Sequence, residues 1–135
     1  INYGFNDYFS GTPMENPQNP YDVATYKGGL RSCIAKLQTA FPNADFILIT
    51  PTHTGYFNNG MEIKSAEGEV LSAYVDATRE ISEEFNLFFV DNYNNYVITD
   101  ENLIQYLSDG CHPNEQGRLL LATTLMYFIH GEMVN

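Results

Sequence analysis

Ala44-Asp45-Phe46-Ile47-Leu48-Ile49-Thr50-Pro51 is the stretch that decides the fold. Four consecutive apolar residues, bounded by turn formers before and by a Thr-Pro stop after, are the mark of a short strand buried on both faces. Just upstream, Tyr26, Leu30, Cys33, Ile34, Leu37 and Phe41 recur at three- and four-residue spacing. That period predicts an amphipathic helix from about Ala24 to Ala40, ended by Phe41-Pro42-Asn43.

Outward from this pair the same rhythm returns. Val70, Leu71, Tyr74, Thr78, Ile81 and Phe85 predict a second helix over about Ala66–Phe85, and Leu87-Phe88-Phe89-Val90 a second doubly buried strand ending at Asp91. One helical turn is expected within Glu101–Tyr106. A last helix is expected from about Pro113 to Ile129, with proline in its first turn and Leu120, Leu121, Leu125, Phe128 and Ile129 along it. Ser10–Pro20, rich in Pro, Asn and Gly, reads as a surface loop, and Thr52–Lys64, with Gly55, Asn59 and Gly60, as a long one. Alternating helices and continuous apolar strands indicate an α/β fold with a parallel sheet covered on both faces. Right-handed crossovers then bring the carboxyl ends of the strands to one edge, where such sheets bind ligands.

Composition narrows the class. The 135 residues suit one domain, and 44% hydrophobic against 17% charged residues is a globular profile. Seventeen acids against six bases give a formal net charge of −11 with no basic run, which argues against a nucleic-acid partner. No apolar stretch approaches the roughly 20 residues of a membrane-spanning helix. Cys33 and Cys111 are too few for a disulfide framework and read as separate thiols.

Two short motifs carry chemistry. In Asp109-Gly110-Cys111-His112-Pro113, a carboxylate three residues before a histidine, on a turn broken by Gly and stopped by Pro, can hold one ring nitrogen and leave the other as a general base. An aspartate capping the final helix beside a solvent-exposed histidine would give the same spacing. In Gly4-Phe5-Asn6-Asp7, an Asn following a strand can aim its amide at a developing oxyanion, with Gly4 allowing close backbone approach. Taken alone, that sequence reads more simply as an ordinary turn using Asn and Asp for local bonds.

Taken together, Tyr3-Gly4-Phe5-Asn6-Asp7-Tyr8-Phe9, the helix and strand ending Thr50-Pro51-Thr52, and Asp109-Gly110-Cys111-His112-Pro113-Asn114 resemble the SGNH (GDSL-like) hydrolase family. The first motif is similar to the family's G-x-N-D block and the last to its D-x-x-H-P block, in the family's order. The resemblance implies a flavodoxin-like three-layer αβα fold with a parallel sheet, residues 1–135 forming a single, partial domain truncated at its N-terminal side. It implies His112 as general base, Asp109 as its orienting acid and Asn6 as an oxyanion-hole donor. Beside these, Gly4 can let a substrate approach the backbone, and His53, after the Thr50-Pro51 strand end, either lines the substrate pocket on the same edge or is a plain loop histidine. No metal or organic cofactor is implied. Asp7, His53, Asp109 and His112 match no metal-ligand spacing.

The family's G-D-S nucleophile block is absent from the sequence, and Ser10, Ser32, Ser65, Ser72, Ser82 and Ser108 stand in other contexts. The expectation is a serine esterase or acylhydrolase, acting on small-molecule or carbohydrate esters, whose serine lies outside this chain. A non-catalytic carbohydrate-binding or interaction domain of the same fold is the alternative. Cys111, beside His112, is considered as a thiol nucleophile and set aside because adjacent residues point apart. Tyr8, Phe9, Tyr56 and Phe57 are candidates for contact with a sugar or acyl chain or for plain packing. If Ile1–Tyr3 is the tail of the third strand in a 2-1-3-4-5 sheet, two strands are missing. Each large apolar side chain left uncovered forfeits about 1.5–3 kcal/mol. The chain is therefore expected to need a missing N-terminal segment or a neighbouring chain to complete the sheet.

Overall fold

The computed structural model describes residues 1–55, 57–58, 61–66, 68–95 and 97–133. They form two compact units, one of Ile1–Pro51 with Lys64–Phe89, the other of Thr52–Ile63 with Val90–Asn135.

The first unit holds the sheet and its helices. Helix α1 (Phe5–Ser10) runs between two glycines in positive-φ conformations, Gly4 and Gly11. The sequence suggests a strand end followed by a turn here, and no helix. A helix forms because Gly11 in the left-handed region closes it, with Gly11 N–H bonded to Tyr8 O and Thr12 N–H to Asp7 O. Helix α2 (Tyr26–Ala40) starts at Thr25, whose hydroxyl accepts from the Gly28 amide. It buries Tyr26, Leu30 and Ile34, three residues spaced by four, each side chain contributing about 1.5–3 kcal/mol of burial. It ends at Phe41, just before Pro42.

Strand β1 (Ile47–Ile49) pairs on one side with the first residues of the chain, through a parallel bridge from Asn2 to Ile49 and an Ile49 N–H bond to Ile1 O. The neighbour on the other side is β4 (Phe88–Val90), whose last residue is where the second unit resumes. Burial is less even than expected. Leu48 and Val90 are buried, whereas Ile47, Ile49, Phe88 and Phe89 are half-buried. Helix α3 (Leu71–Glu84) is the crossover between the two strands and buries Leu71, Tyr74, Val75, Thr78 and Ile81. It begins five residues later than the sequence period suggests. Gly68 at φ 85° turns the chain, and Ser65 and Glu69 close that turn by mutual backbone and hydroxyl bonds. On α3, Arg79 lies over the Phe89 ring at 5.1 Å. Lys27–Glu80 at 2.6 Å and Arg31–Glu84 at 2.8 Å join α2 to α3 at the surface, where such pairs add at most about 1 kcal/mol each.

The second unit is built from short pieces. The expected loop Thr52–Lys64 contains two short strands, β2 (Phe57–Asn58) and β3 (Met61–Glu62), paired antiparallel. Tyr56, and the side chain of Phe57, candidates above for ligand contact or plain packing, lie outside the described residues. Helix α4 (Leu103–Tyr106) is the expected single turn. Helix α5 (Glu115–Phe128) is capped by the Asn114 side chain, which accepts from Gly117 N–H, and passes into a π-helical turn at Ile129–Met133. Gly117 is the buried residue of α5, while Leu119, Met126 and Tyr127 are exposed. No described helix is long and apolar enough to cross a membrane.

Candidate active site

The segment between α4 and α5 folds into a tight loop because its own polar groups bond to one another. Leu107 and Pro113 form an antiparallel bridge, and the Ser108 N–H and hydroxyl both donate to the His112 carbonyl, at 2.8 and 3.0 Å. Gly110 turns the chain at φ 82°. One oxygen of Asp109 accepts from the backbone N–H of Cys111 at 3.0 Å and of His112 at 2.7 Å; the other meets His112 Nδ1 at 2.7 Å.

These bonds set the charge. The backbone N–H of His112, then its ring, then the Cys111 N–H hold the Asp109 carboxyl down at about 2. With an ionised acceptor on Nδ1, that nitrogen carries the proton and the lone pair falls on Nε2. Both side chains are more than half exposed, 56% for Asp109 and 76% for His112. An imidazole oriented through Nδ1 in this way can take a proton from a hydroxyl on Nε2 and return it to a leaving group. Ser108 does not serve that base, since its hydroxyl bonds to the His112 carbonyl. Burial, then the Asp109 charge, pushes the Cys111 thiol up to about 11, so it is a poor nucleophile at neutral pH.

A second histidine–carboxylate pair lies in the same unit. His53 Nδ1 meets Asp100 Oδ1 at 3.1 Å, and its ring packs 4.3 Å from that of Tyr93. Two residues on, Gly55 N–H donates to Gly110 O at 2.6 Å. A Cβ on Gly55 would come within 3.2 Å of Gly110 Cα. The His53 segment is thus stitched by bare backbone to the loop that carries Asp109 and His112. Sequence reasoning named His53 but missed Asp100, because no spacing rule joins residues 47 apart.

Gly4 and Asn6 belong to the first unit. Gly4 begins α1 at φ 121°, a conformation suited to glycine, and its carbonyl accepts from Tyr8 N–H. Asn6 is exposed in the first turn of α1, and Asp7 half-buried after it. Asp7, Tyr3, Thr12, Tyr26, Leu30 and Cys33 border a cavity of about 270 Å³. Of the candidate aromatics, Tyr8 is buried against Tyr74, and Phe9, 59% exposed, stacks on Phe5. Both cysteines are free, and no group of three or more His, Cys, Asp or Glu among the described residues is placed to hold a metal ion.

The fold is shared with solved structures. A Lactobacillus plantarum protein is similar at 22% identity and TM-score 0.87, over 98% of this chain and 66% of its own. A structure described as a possible lipase from Chitinophaga pinensis matches at 20% identity and TM-score 0.77, over 97% of this chain and 71% of its own. A GDSL-like lipase from Bacteroides thetaiotaomicron matches at 23% identity and TM-score 0.63, over 98% and 62%. The chain thus spans about two thirds of the length of these structures, and it has their α/β fold of helices and parallel strands. No curated protein matches it. The model of the GDSL-like lipase/acylhydrolase family matches residues 1–119, a span that takes in both the Gly4–Asp7 segment and the Asp109–His112 loop, and the chain therefore belongs to that family.

Proposed function

We propose that this chain supplies the base and the oxyanion donor of a serine ester hydrolase. The observation that carries the reading is the 2.7 Å contact between an ionised Asp109 and His112 Nδ1, which presents Nε2 as a base. The nucleophile is a serine that this sequence does not contain, since it has no G-D-S motif. A segment of the full-length protein, or a neighbouring chain, supplies it and completes the sheet.

His112 Nε2 takes the serine proton as the hydroxyl oxygen attacks the ester carbon, and the tetrahedral oxyanion accepts from the Asn6 amide and backbone N–H groups. His112 then protonates the departing alkoxide. Water repeats the sequence on the acyl-serine, releasing the acid and restoring the hydroxyl. Asp109 stays ionised throughout, holding the ring and stabilising the imidazolium. Gly4 lets the substrate approach the backbone, and His53 lies on the substrate side. The substrates are small-molecule or carbohydrate-linked esters, and the chemistry needs neither metal nor organic cofactor.

In the full-length protein, p-nitrophenyl acetate hydrolysis should fall on the order of 10²–10³-fold for Asn6→Ala and at least as far for His112→Ala. Wild-type turnover in either single variant removes that residue from the assignment. The absent G-D-S motif and the exposed Phe9 ring favour one other reading, a carbohydrate-binding domain without turnover. Saccharide binding by a full-length protein that forms no acyl-enzyme would select it.

A further inference from the structure

The segment that carries Asn6 is too short to hold its own shape. A six-residue helix lies far below the length at which isolated helices persist, so its direction must come from what it rests on. Tyrosine side chains meet it at three places. At its start, a Cβ built on Gly4 would lie 3.0 Å from Tyr26 Oη, which puts that oxygen directly beneath the residue that begins the helix. In its middle, Tyr8 is buried with its ring edge-on to Tyr74, centroids 6.2 Å apart. Just beyond its end, the Tyr74 hydroxyl donates to the Thr12 carbonyl at 2.7 Å.

The tyrosines are tied to each other. Tyr26 Oη and Thr78 Oγ1 are 2.7 Å apart, and Thr78 Oγ1 donates to the Tyr74 carbonyl at 2.7 Å. Thr78 has one hydroxyl proton and gives it to Tyr74, so Tyr26 is the donor in the first bond. The Tyr26 and Tyr74 rings meet edge-on at 5.1 Å, and all three side chains are buried. Tyr26 Oη also lies 3.5 Å from the Tyr3 carbonyl oxygen, at the long limit of a hydrogen bond. Burial pushes the Tyr26 hydroxyl up to about 12, so it remains a donor across any working pH.

We infer that the Tyr26–Thr78–Tyr74 relay is a positioning device for Asn6: it fixes where α1 starts and ends, and so where the Asn6 amide points. The inference rests on the role given to Asn6 above. Tyr26 and Tyr74 are positioning residues, acting through Asn6. An oxyanion donor works only near its productive distance, so a small rotation of α1 is felt in turnover.

The test is a double-mutant cycle on p-nitrophenyl acetate hydrolysis by the full-length protein, using Tyr26→Phe, Asn6→Ala and the pair. Tyr26→Phe keeps the ring and removes the relay's donor. It should lower kcat on the order of tenfold and leave KM within about twofold. In the Asn6→Ala background it should cost nothing further. Tyr74→Phe, which breaks the Thr12 bond at the other end, should give the same pattern and serves if Tyr26→Phe fails to fold. Circular dichroism at the assay temperature separates loss of folded protein from loss of turnover. If Asn6→Ala is impaired but either tyrosine change is silent, or costs the same factor in both backgrounds, the positioning inference is overturned and the oxyanion role stands. If Asn6→Ala itself is silent, the oxyanion role fails and the inference falls with it.

Discussion

Replacing Gly117 with alanine should damage the histidine loop from its far end, with no contact to Asp109 or His112. Gly117 lies in the first turn of α5, where a Cβ would stand 2.2 Å from the Tyr106 carbonyl oxygen, 3.1 Å from its carbonyl carbon and 3.2 Å from Pro113 Cβ. The nearest obstacles are backbone atoms of α4, which cannot swing aside, so the two segments must part by about 1 Å to restore ordinary contact. Alanine improves helix propensity by up to about 1 kcal/mol over glycine, but overpacking of this kind costs about 1–3 kcal/mol. The clash is with backbone, so strain wins and a net loss of about 1–2 kcal/mol is expected. The displacement falls on the anchor of the loop. Asn114 N–H donates to Tyr106 O at 2.9 Å and Asn114 Nδ2 to Gln105 O at 2.7 Å, two residues after His112. Misplacing a catalytic group by 1 Å costs on the order of 10²-fold, so activity should fall further than stability. The measurements are urea unfolding and p-nitrophenyl acetate turnover of the full-length protein. Gly131→Ala, whose Cβ would meet nothing within 4 Å, is the control. A Gly117→Ala variant matching wild type in both would show that the approach of α4 to α5 does not set the loop.

Two further outcomes follow from the charges in that loop. The Asp109 carboxyl, held at about 2 instead of the usual 3.8, stabilises the folded loop when ionised; that contribution is complete above about pH 4 and is lost as pH falls through about 2. Carboxyl-carbon NMR should place its midpoint near 2, and a midpoint near 4 would mean that the contacts to His112 and Cys111 are not kept in solution. With its thiol pushed up to about 11, Cys111 is not a thiolate at assay pH. Cys111→Ala, which keeps the N–H bonded to Asp109, should retain turnover within about twofold, and a hundredfold loss would make the sulfur a participant.

The elements that periodicity made legible are those whose burial follows local repeats. Tyr26, Leu30 and Ile34 on α2, and Leu71, Tyr74, Thr78 and Ile81 on α3, were named from spacing and are buried. The departures come where a single backbone conformation overrides the pattern. Gly68 delays α3, and Gly4 with Gly11 turns an expected bend into α1. The β2–β3 pairing had a signal that went unread, since Asn59-Gly60 between two short runs is a strong hairpin cue.

At the site the same division is sharper. Asp109 and His112 are three residues apart, so the turn that joins them is written in one motif and their contact could be anticipated. Their supports are not local. Gly55 meets Gly110, His53 meets Asp100, and Tyr26 meets Thr78 across separations of 47 to 55 residues, and each needs the fold before the contact exists. A motif therefore identifies the groups that move protons, because their mutual geometry is set by a few dihedral angles. It says nothing of the groups that hold them still, because those are chosen by packing. Variants that silence activity while leaving both motifs intact should accordingly concentrate at Gly55, Gly117, Tyr26 and Tyr74, positions that family resemblance alone would pass over.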